Sequence, residues 1–233
     1  MLKMMITCRR NSSMSRLQFF HHLRHVHWPL IQRHPGVLDA LPGYVQNHTF
    51  LPEAGVELSA PFKIAIERDS VIELAFDGVV GIHRLLSEPA YMQHIRPDEA
   101  HFNDLPHNIM VLANASTVFR APQVGRCKRF DFLRRSSAVD AATFRAKLAT
   151  HSQALALDPN YTAYVDRHVD NIVATAEMNE GFGEGAFDAV REVWATSLAA
   201  LALVANRSAA DYADPEKSFS VFATEFPMHG SVA

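Results

Sequence analysis

Cysteine is scarce: Cys8 and Cys127 are the only two in 233 residues. Two are too few for a disulfide framework. No apolar run reaches the roughly 18 residues that a membrane span requires. The opening "MLKMMITCRRNSS" lacks the long apolar core and small-residue cleavage site of a signal peptide. A cytoplasmic location without a membrane partner is therefore expected. Neither sign of charge dominates, since 22 lysines and arginines face 25 aspartates and glutamates, for a formal net charge of −3. Without a basic surface, nucleic acid is not an expected partner. There is no Ser-His-Asp order, phosphate-cradling loop or dinucleotide fingerprint. "GFGEG" at 181–185 lacks the helix and lysine that would give it meaning, and it reads as a turn.

Hydrophobic residues make up 48% of the chain, enough for a substantial core in one large domain or two small ones. Histidine is plentiful at 13 residues, and four of them (His21, His22, His25, His27) crowd into "FHHLRHVHWPL". Protonating part of this set would reverse the sign of the net charge below neutral pH.

The chain also reads as written twice. "KMMITCRRNSSMSRLQFFHHLRHVHWPL" is echoed after Gly125 by "CKRFDFLRRSSAVDAATFRAKLATHSQAL", with Arg9-Arg10 matching Arg134-Arg135. "GYVQNH" (43–48) is echoed by "AYVDRH" (163–168). "RDSVIELAF" is echoed by "AFDAVREVW", pairing Asp69 with Asp188 and Glu73 with Glu192. Each half reads strand, helix, strand, strand, helix, strand. In the first half the strands fall near 3–9, 43–50, 69–76 and 108–118, with helices near 14–33 and 78–94. Ser13 with Gln18 is a loose helix start, and Pro29 should bend or end the first helix. The expected fold class is α+β: two ferredoxin-like βαββαβ repeats, residues 1–120 and 121–233, forming a pseudo-dimeric α/β barrel. "RAPQVG" (120–125) is the expected link, and "PEAGVELSAP" (52–61) a candidate lid.

"FHHLRHVHWPL", "GYVQNH" and "DEAHFND" together resemble the EthD-domain proteins of the dimeric α/β-barrel superfamily. The resemblance covers most of residues 2–118 and is fainter in the second half, where "HSQAL" replaces "HWPL". It implies a small, cofactor-free pocket between helices and sheet, holding an aromatic or polyketide-like ligand. It also implies roles for His27, within the matching "VHWPL", and for Tyr91 and His94, in the turn "SEPAYMQHIRPDEAHF" that closes the pocket in relatives.

Read on their own, the residues leave choices open. His21 and His25 are four apart and share a helix face, as do His22 and His25 at three apart. His27 lies about 140° round from His22, so those two align only if the helix bends. A zinc site needs three or four ligands, and the cluster supplies two without a neighbouring glutamate, so no metal is assigned. On the strand "GYVQNHT", Tyr44, Gln46 and His48 share one face, Val45 and Asn47 the other. Glu73 sits mid-strand in "SVIELAF" as a base, an orienter of an imidazole, or the partner of an arginine such as Arg9. Trp28 is either a stacking surface or core.

These readings give His27, His48 and Glu73 as the expected catalytic set, with His22, Trp28, Tyr44, Asn47, Tyr91 and His94 as substrate contacts. No cofactor is expected. The leading function is a lyase of the aromatic decarboxylase kind, in which His27 donates a proton to a ring carbon while His48 and Glu73 activate a phenol. The alternatives are a cofactor-free monooxygenase, cyclase or dehydratase, a non-catalytic binding module for small aromatics, or a haem or metal protein. A homodimer is expected, because four-stranded sheets leave edges and outer helices for a second copy.

Overall fold

Alternating apolar residues, punctuated by glycine and proline, organise the described chain into strands and short helices. The computed structural model describes residues 1–50, 58–173, 187–208, 211–230 and 232. It is a mixed α/β chain whose internal contacts define two compact units. The first comprises Met1–His48, Glu67–Leu112 and Phe226–Ala233, the second Thr49–Ile66 and Ala113–Glu225. A cut at residue 120 would assign segments 49–66, 113–120 and 226–233 otherwise. Most of the candidate lid, residues 52–57, and the "GFGEG" stretch lie outside the described residues.

In the first unit, strands β1 (Leu2–Cys8), β2 (Gly43–Thr49) and β4 (Ser70–Phe76), with the opening residues of β5 (Ile109–Arg120), lie in the order β2-β4-β1-β5. Strand β4 is antiparallel to both neighbours, with Glu73 opposite Met5 and Val45. Residues opposite one another in an antiparallel pair share a face. Lys3, Met5, Val45, Asn47, Glu73 and Ala75 therefore point one way, while Met4, Ile6, Tyr44, Gln46, Ile72 and Leu74 point the other, toward the helices.

The first helical segment starts two residues later than Ser13 suggests. Ser15 is the N-cap of α1 (Arg16–His22): its hydroxyl accepts from the Gln18 N–H, and its own N–H donates to Gln18 Oε1 at 2.8 Å. This reciprocal box satisfies two otherwise orphaned donors. Pro29 does not end the helix. The chain widens into a π turn at Leu23–His27, where the Trp28 N–H donates to the Leu23 carbonyl, and then continues as α2 (Trp28–Gln32) and α3 (Pro35–Asp39). A proline ring collides with the carbonyl four residues back and offers no N–H, and a wider turn relieves both problems. The same device recurs at Tyr91–Ile95, just before Pro97.

The second helix was expected near 78–94, with "SEPAYMQHIRPDEAHF" as a turn. Instead α4 (Gly78–Ser87) stops before Pro89, with Glu88 in the extended conformation that a following proline favours. The supposed turn is helical through α5 (Arg96–Phe102). Phe19, Leu23, Ile31, Val37, Ile82, Ile95 and Phe102 are buried along these helices.

In the second unit, β6 (Cys127–Leu133), β7 (Arg167–Val173), β8 (Ala189–Ala195) and the first part of β9 (Phe219–Gly230) take the order β7-β8-β6-β9, with the later part of β5 beyond β7 and the short β3 (Lys63–Ile64) beyond β9. Its helices are α6 (Ala141–Leu157), capped by Asp140, then α7 (Pro159–Thr162) and α8 (Leu198–Leu203). Phe144 and Leu148 of α6 pack with Leu133, Ala189 and Tyr212. Tyr161, Val193, Leu201 and Phe222 form a second cluster.

Strand registers show which residues correspond. Asn47 lies opposite Val71, and Asn171 lies opposite Val190. Each asparagine donates to the carbonyl of its opposite residue at 2.9 Å. Tyr44, Gln46 and Asn47 thus match His168, Asp170 and Asn171. The sequence match of "GYVQNH" with "AYVDRH" was displaced by four residues, because "AYVD" forms the turn before β7. Other matches hold in place. Asp69 accepts from the Arg10 main chain at 2.9 Å, and Asp188 from that of Arg135 at 2.8 Å. Among the described residues, no helix is long and apolar enough to cross a membrane.

Candidate active site

Asp98 stands in the first turn of α5, immediately after Pro97, and bridges two histidines of the opening cluster. Its Oδ1 lies 2.9 Å from His22 Nε2 and its Oδ2 lies 2.7 Å from His27 Nδ1. On a regular helix those rings would diverge by about 140°. The π turn between them brings both to one carboxylate. Phe102, one turn further along α5, packs beneath the pair, its ring centroid 4.9 Å from each imidazole.

Burial pushes the Asp98 carboxyl up, but hydrogen bonds from His27 and His22 outweigh it and leave it below the ordinary carboxylate range. An ionised Asp98 accepts one N–H from each ring. In the neutral form of each ring that leaves Nδ1 of His22 and Nε2 of His27 as the lone-pair nitrogens, a tautomer assigned from the hydrogen-bond network. His27 is only 5% exposed. His22 lines an open groove of about 650 Å³ with Ser13, Met14, Leu17, Gln18 and His21.

A second polar system lies on the helix-facing side of β2. Gln46 Nε2 donates to the Leu23 carbonyl and to Tyr44 Oη, both at 3.0 Å, and Gln46 Oε1 accepts from His48 Nε2 at 3.2 Å. The His48 ring stacks on Phe20 at 4.5 Å and 6° and meets Phe226 at 4.8 Å. Arg24 sits 4.6 Å over Phe226. Burial, reinforced by the charges of Arg24 and Arg16, pushes the His48 imidazole down to about 4, so it is neutral at physiological pH. Trp28 packs on Tyr44 at 5.3 Å. Burial holds the Tyr44 phenol well above its usual range.

The expected catalytic set does not converge. Glu73 is on the opposite face of the sheet from His48, fully buried, 2.9 Å from Lys3 Nζ and 2.9 Å from Asn47 Nδ2. Its cationic partner is Lys3 rather than Arg9, which reaches Asp104 instead. Asn47 goes with Glu73, away from the imidazoles. Tyr91 donates to Glu99 Oε1 at 3.1 Å, and burial with the Glu99 charge raises its phenol. His94 is exposed and stacks on His34 at 4.9 Å. The His21 and His25 rings lie 5.1 Å apart. Among the described residues, no three His, Cys, Asp or Glu side chains are grouped to hold a metal.

Two participants were not among the expected site residues, Asp98 and Gln46. Asp98 lies in "DEAHFND", one of the stretches that carried the resemblance, directly after a proline. Reading that stretch as a turn hid its position on a helix facing the histidines.

No curated protein matches the chain. Solved structures share its fold at low identity. A crystal structure of an anthrone oxidase-like protein is 8% identical with a TM-score of 0.56, covering 97% of this chain and 92% of the other. A chlorite dismutase mutant from Candidatus Nitrospira defluvii is 10% identical with a TM-score of 0.54, covering 97% and 91%. A protein from Lactobacillus acidophilus, provisionally named a monooxygenase, is 10% identical with a TM-score of 0.50, covering 100% and 98%. At such identities the likeness is one of fold alone. Residues 11–106, which hold the histidine cluster, β2 and Asp98, match the EthD domain.

Proposed function

We propose that the chain is a proton-transferring enzyme acting on an aromatic or polyketide-like substrate, and that the reaction it serves is an oxygenation. The observation that carries the proton chemistry is Asp98 held by His22 at 2.9 Å and His27 at 2.7 Å. A half-buried carboxylate on one ring nitrogen fixes the tautomer and stabilises the imidazolium formed when the other nitrogen takes a proton. His22, open to the groove, takes the proton. His27, behind it, orients Asp98. Neutral His48 between Phe20 and Phe226 offers an aromatic contact, and Trp28 with Tyr44 stiffens the helix against the sheet.

The EthD domain match and the names of the structural neighbours favour oxygenation over the decarboxylation expected from sequence, for which the comparisons offer nothing. The electron balance closes with dioxygen alone. A methylene carbon flanked by phenolic rings gives up its proton and then its electrons to dioxygen. One oxygen atom becomes the ketone, and the other leaves as water with the two displaced hydrogens. The substrate is the reductant, in keeping with the cofactor-free reading.

The two units are read as diverged copies of one ferredoxin-like unit. Matching strand orders and matching Asp69–Arg10 and Asp188–Arg135 contacts support this. A cytoplasmic homodimer is part of the same proposal, with exposed Val26 and Val80 as apolar surface for a second copy. Light scattering tests the dimer.

The decisive experiment follows oxygen uptake and carbon dioxide release together, with anthrone-type and hydroxyaromatic acid substrates. Oxygen uptake without carbon dioxide is expected, and Asp98→Asn should lower turnover by about 10²–10⁴-fold with unchanged circular dichroism. Carbon dioxide release under argon would restore the decarboxylase. Unaltered turnover in Asp98→Asn would move the chemistry elsewhere.

A further inference from the structure

The second unit contains a groove of about 550 Å³ between α6 and strands β5 and β7. Leu148, Ala149 and Ile172 supply apolar wall, Arg145 lies at its exposed rim, and Asp170 and Ser152 reach it from the interior. Asp170 is 5% exposed and rests on a buried scaffold. Its Oδ1 lies 3.2 Å from His168 Nε2 and 3.4 Å from Arg191 Nε. Arg191 continues to Tyr212 Oη at 3.1 Å and Ser152 Oγ at 3.4 Å, and the Tyr161 hydroxyl backs His168 Nδ1 at 3.3 Å. Burial alone would raise the Asp170 carboxyl, yet the His168 hydrogen bond and the charges of His168 and Arg191 bring it down to about 2. His168 and Arg191 meet Oδ1 and Ser152 adds a hydrogen bond, and a carboxylate's roughly four lone-pair sites leave room for a further donor. Arg145 has no ion-pair partner among the described residues.

The corresponding place in the first unit is filled. Counting from the caps Ser15 and Asp140, Phe20 corresponds to Arg145. From the strand registers, His48 corresponds to Ile172 and Gln46 to Asp170. Phe20 and His48 stack on one another at 4.5 Å. The second unit replaces that stacked pair with Arg145 and Ile172 and the neutral amide with a carboxylate. Space and two opposite charges appear together, one deep and one at the rim.

We infer that this groove is a second ligand site, for a hydroxylated aromatic carboxylate. The ligand's hydroxyl donates to Asp170, its ring lies on Leu148 and Ile172, and its carboxylate meets Arg145. A groove of this size suits a ligand of one or two rings. The inference is independent of the chemistry proposed for Asp98.

Isothermal titration of the full chain with 4-hydroxybenzoate tests it, with benzoate and phenol as truncated probes. Saturable binding of 4-hydroxybenzoate is expected, with each truncated probe about 10-fold weaker. Ala149→Trp, which fills the groove from an exposed helix position, should abolish binding. Arg145→Glu should weaken 4-hydroxybenzoate by about 10-fold or more and leave phenol unchanged. Neither variant touches the buried scaffold, so circular dichroism should match the parent. Asp98→Asn should bind normally. The inference fails if no saturable binding occurs at millimolar probe, if Ala149→Trp binds as the parent does, if benzoate equals 4-hydroxybenzoate, or if Asp98→Asn loses binding while Ala149→Trp retains it.

Discussion

At the scale of single residues, burial decides what each titratable group can do. His22 and His27 share one carboxylate, but only His22 lines the open groove. His22→Ala should therefore lose about 10²–10⁴-fold in turnover. His27→Ala, acting through Asp98, should lose about 10²-fold by misplacement. Steady-state kinetics on folded protein distinguishes the two, and His151→Ala should leave turnover near the parent's. His151 instead contacts Tyr212 Oη and the Arg207 carbonyl, each at 3.0 Å. His48 gives a prediction about pH. Its imidazole is pushed from 6.5 to about 4, so between those values the unfolded chain binds a proton that the folded chain does not. Its contribution to stability is complete above pH 6.5 and is lost as the pH falls through 4. Urea midpoints measured from pH 7 to 4 should decline less steeply for His48→Gln than for the parent. On the other face of the sheet, Glu73→Ala removes the buried carboxylate that meets Lys3 and Asn47 and should cost about 3–5 kcal/mol in chemical denaturation.

At the scale of elements, two proline-linked π turns do most to place the site. Each widens a helix just before a proline, and the first delivers His22 and His27 to the same partner while presenting the Leu23 carbonyl to Gln46. The capping box at Ser15 sets where that helix begins, and so which residues the turn aligns. Ser15→Ala should lower stability by about 1 kcal/mol, read as a reduced melting temperature. Gly125, ahead of β6, is required by close approach. A Cβ there would stand 2.2 Å from the Ala195 carbonyl oxygen. Gly125→Ala should destabilise the protein by about 1–3 kcal/mol, measured by the same denaturation.

For the whole molecule, one cysteine in each unit offers separate reporters of opening. Burial pushes the Cys8 thiol up to about 12, while Cys127, less buried, is raised by the same cause. Labelling needs the thiolate. In mild denaturant Cys127 should react with a thiol reagent before Cys8. Equal rates would mean that the two units open as one. A matching Lys–Asn–Glu set occurs in each unit. Asn47 reaches Glu73 beside Lys3, and Asn171 reaches Glu192 at 2.6 Å beside Lys128. The order of opening therefore reflects packing around each set rather than a difference in its chemistry.

The sequence by itself determined the strands, because alternation along "SVIELAF" and "GYVQNHT" separates a helix-facing side from its opposite whatever the partner. It also determined the pairing of Asp69 with Asp188 and of Arg10 with Arg135, since those residues flank strand ends at fixed offsets. Tertiary structure alone decided the site. Helical periodicity puts His22 and His27 on different faces, and only a π turn aligns them. Asp98 reads as part of a proline-rich turn until α5 forms beneath it. Glu73 reads as a candidate base until the strand register sends it to Lys3, across the sheet from the imidazoles. Local pattern sets which face a side chain takes. Which faces meet is set by packing between segments some 70 residues apart, as from His27 to Asp98, and no short window of sequence contains both partners.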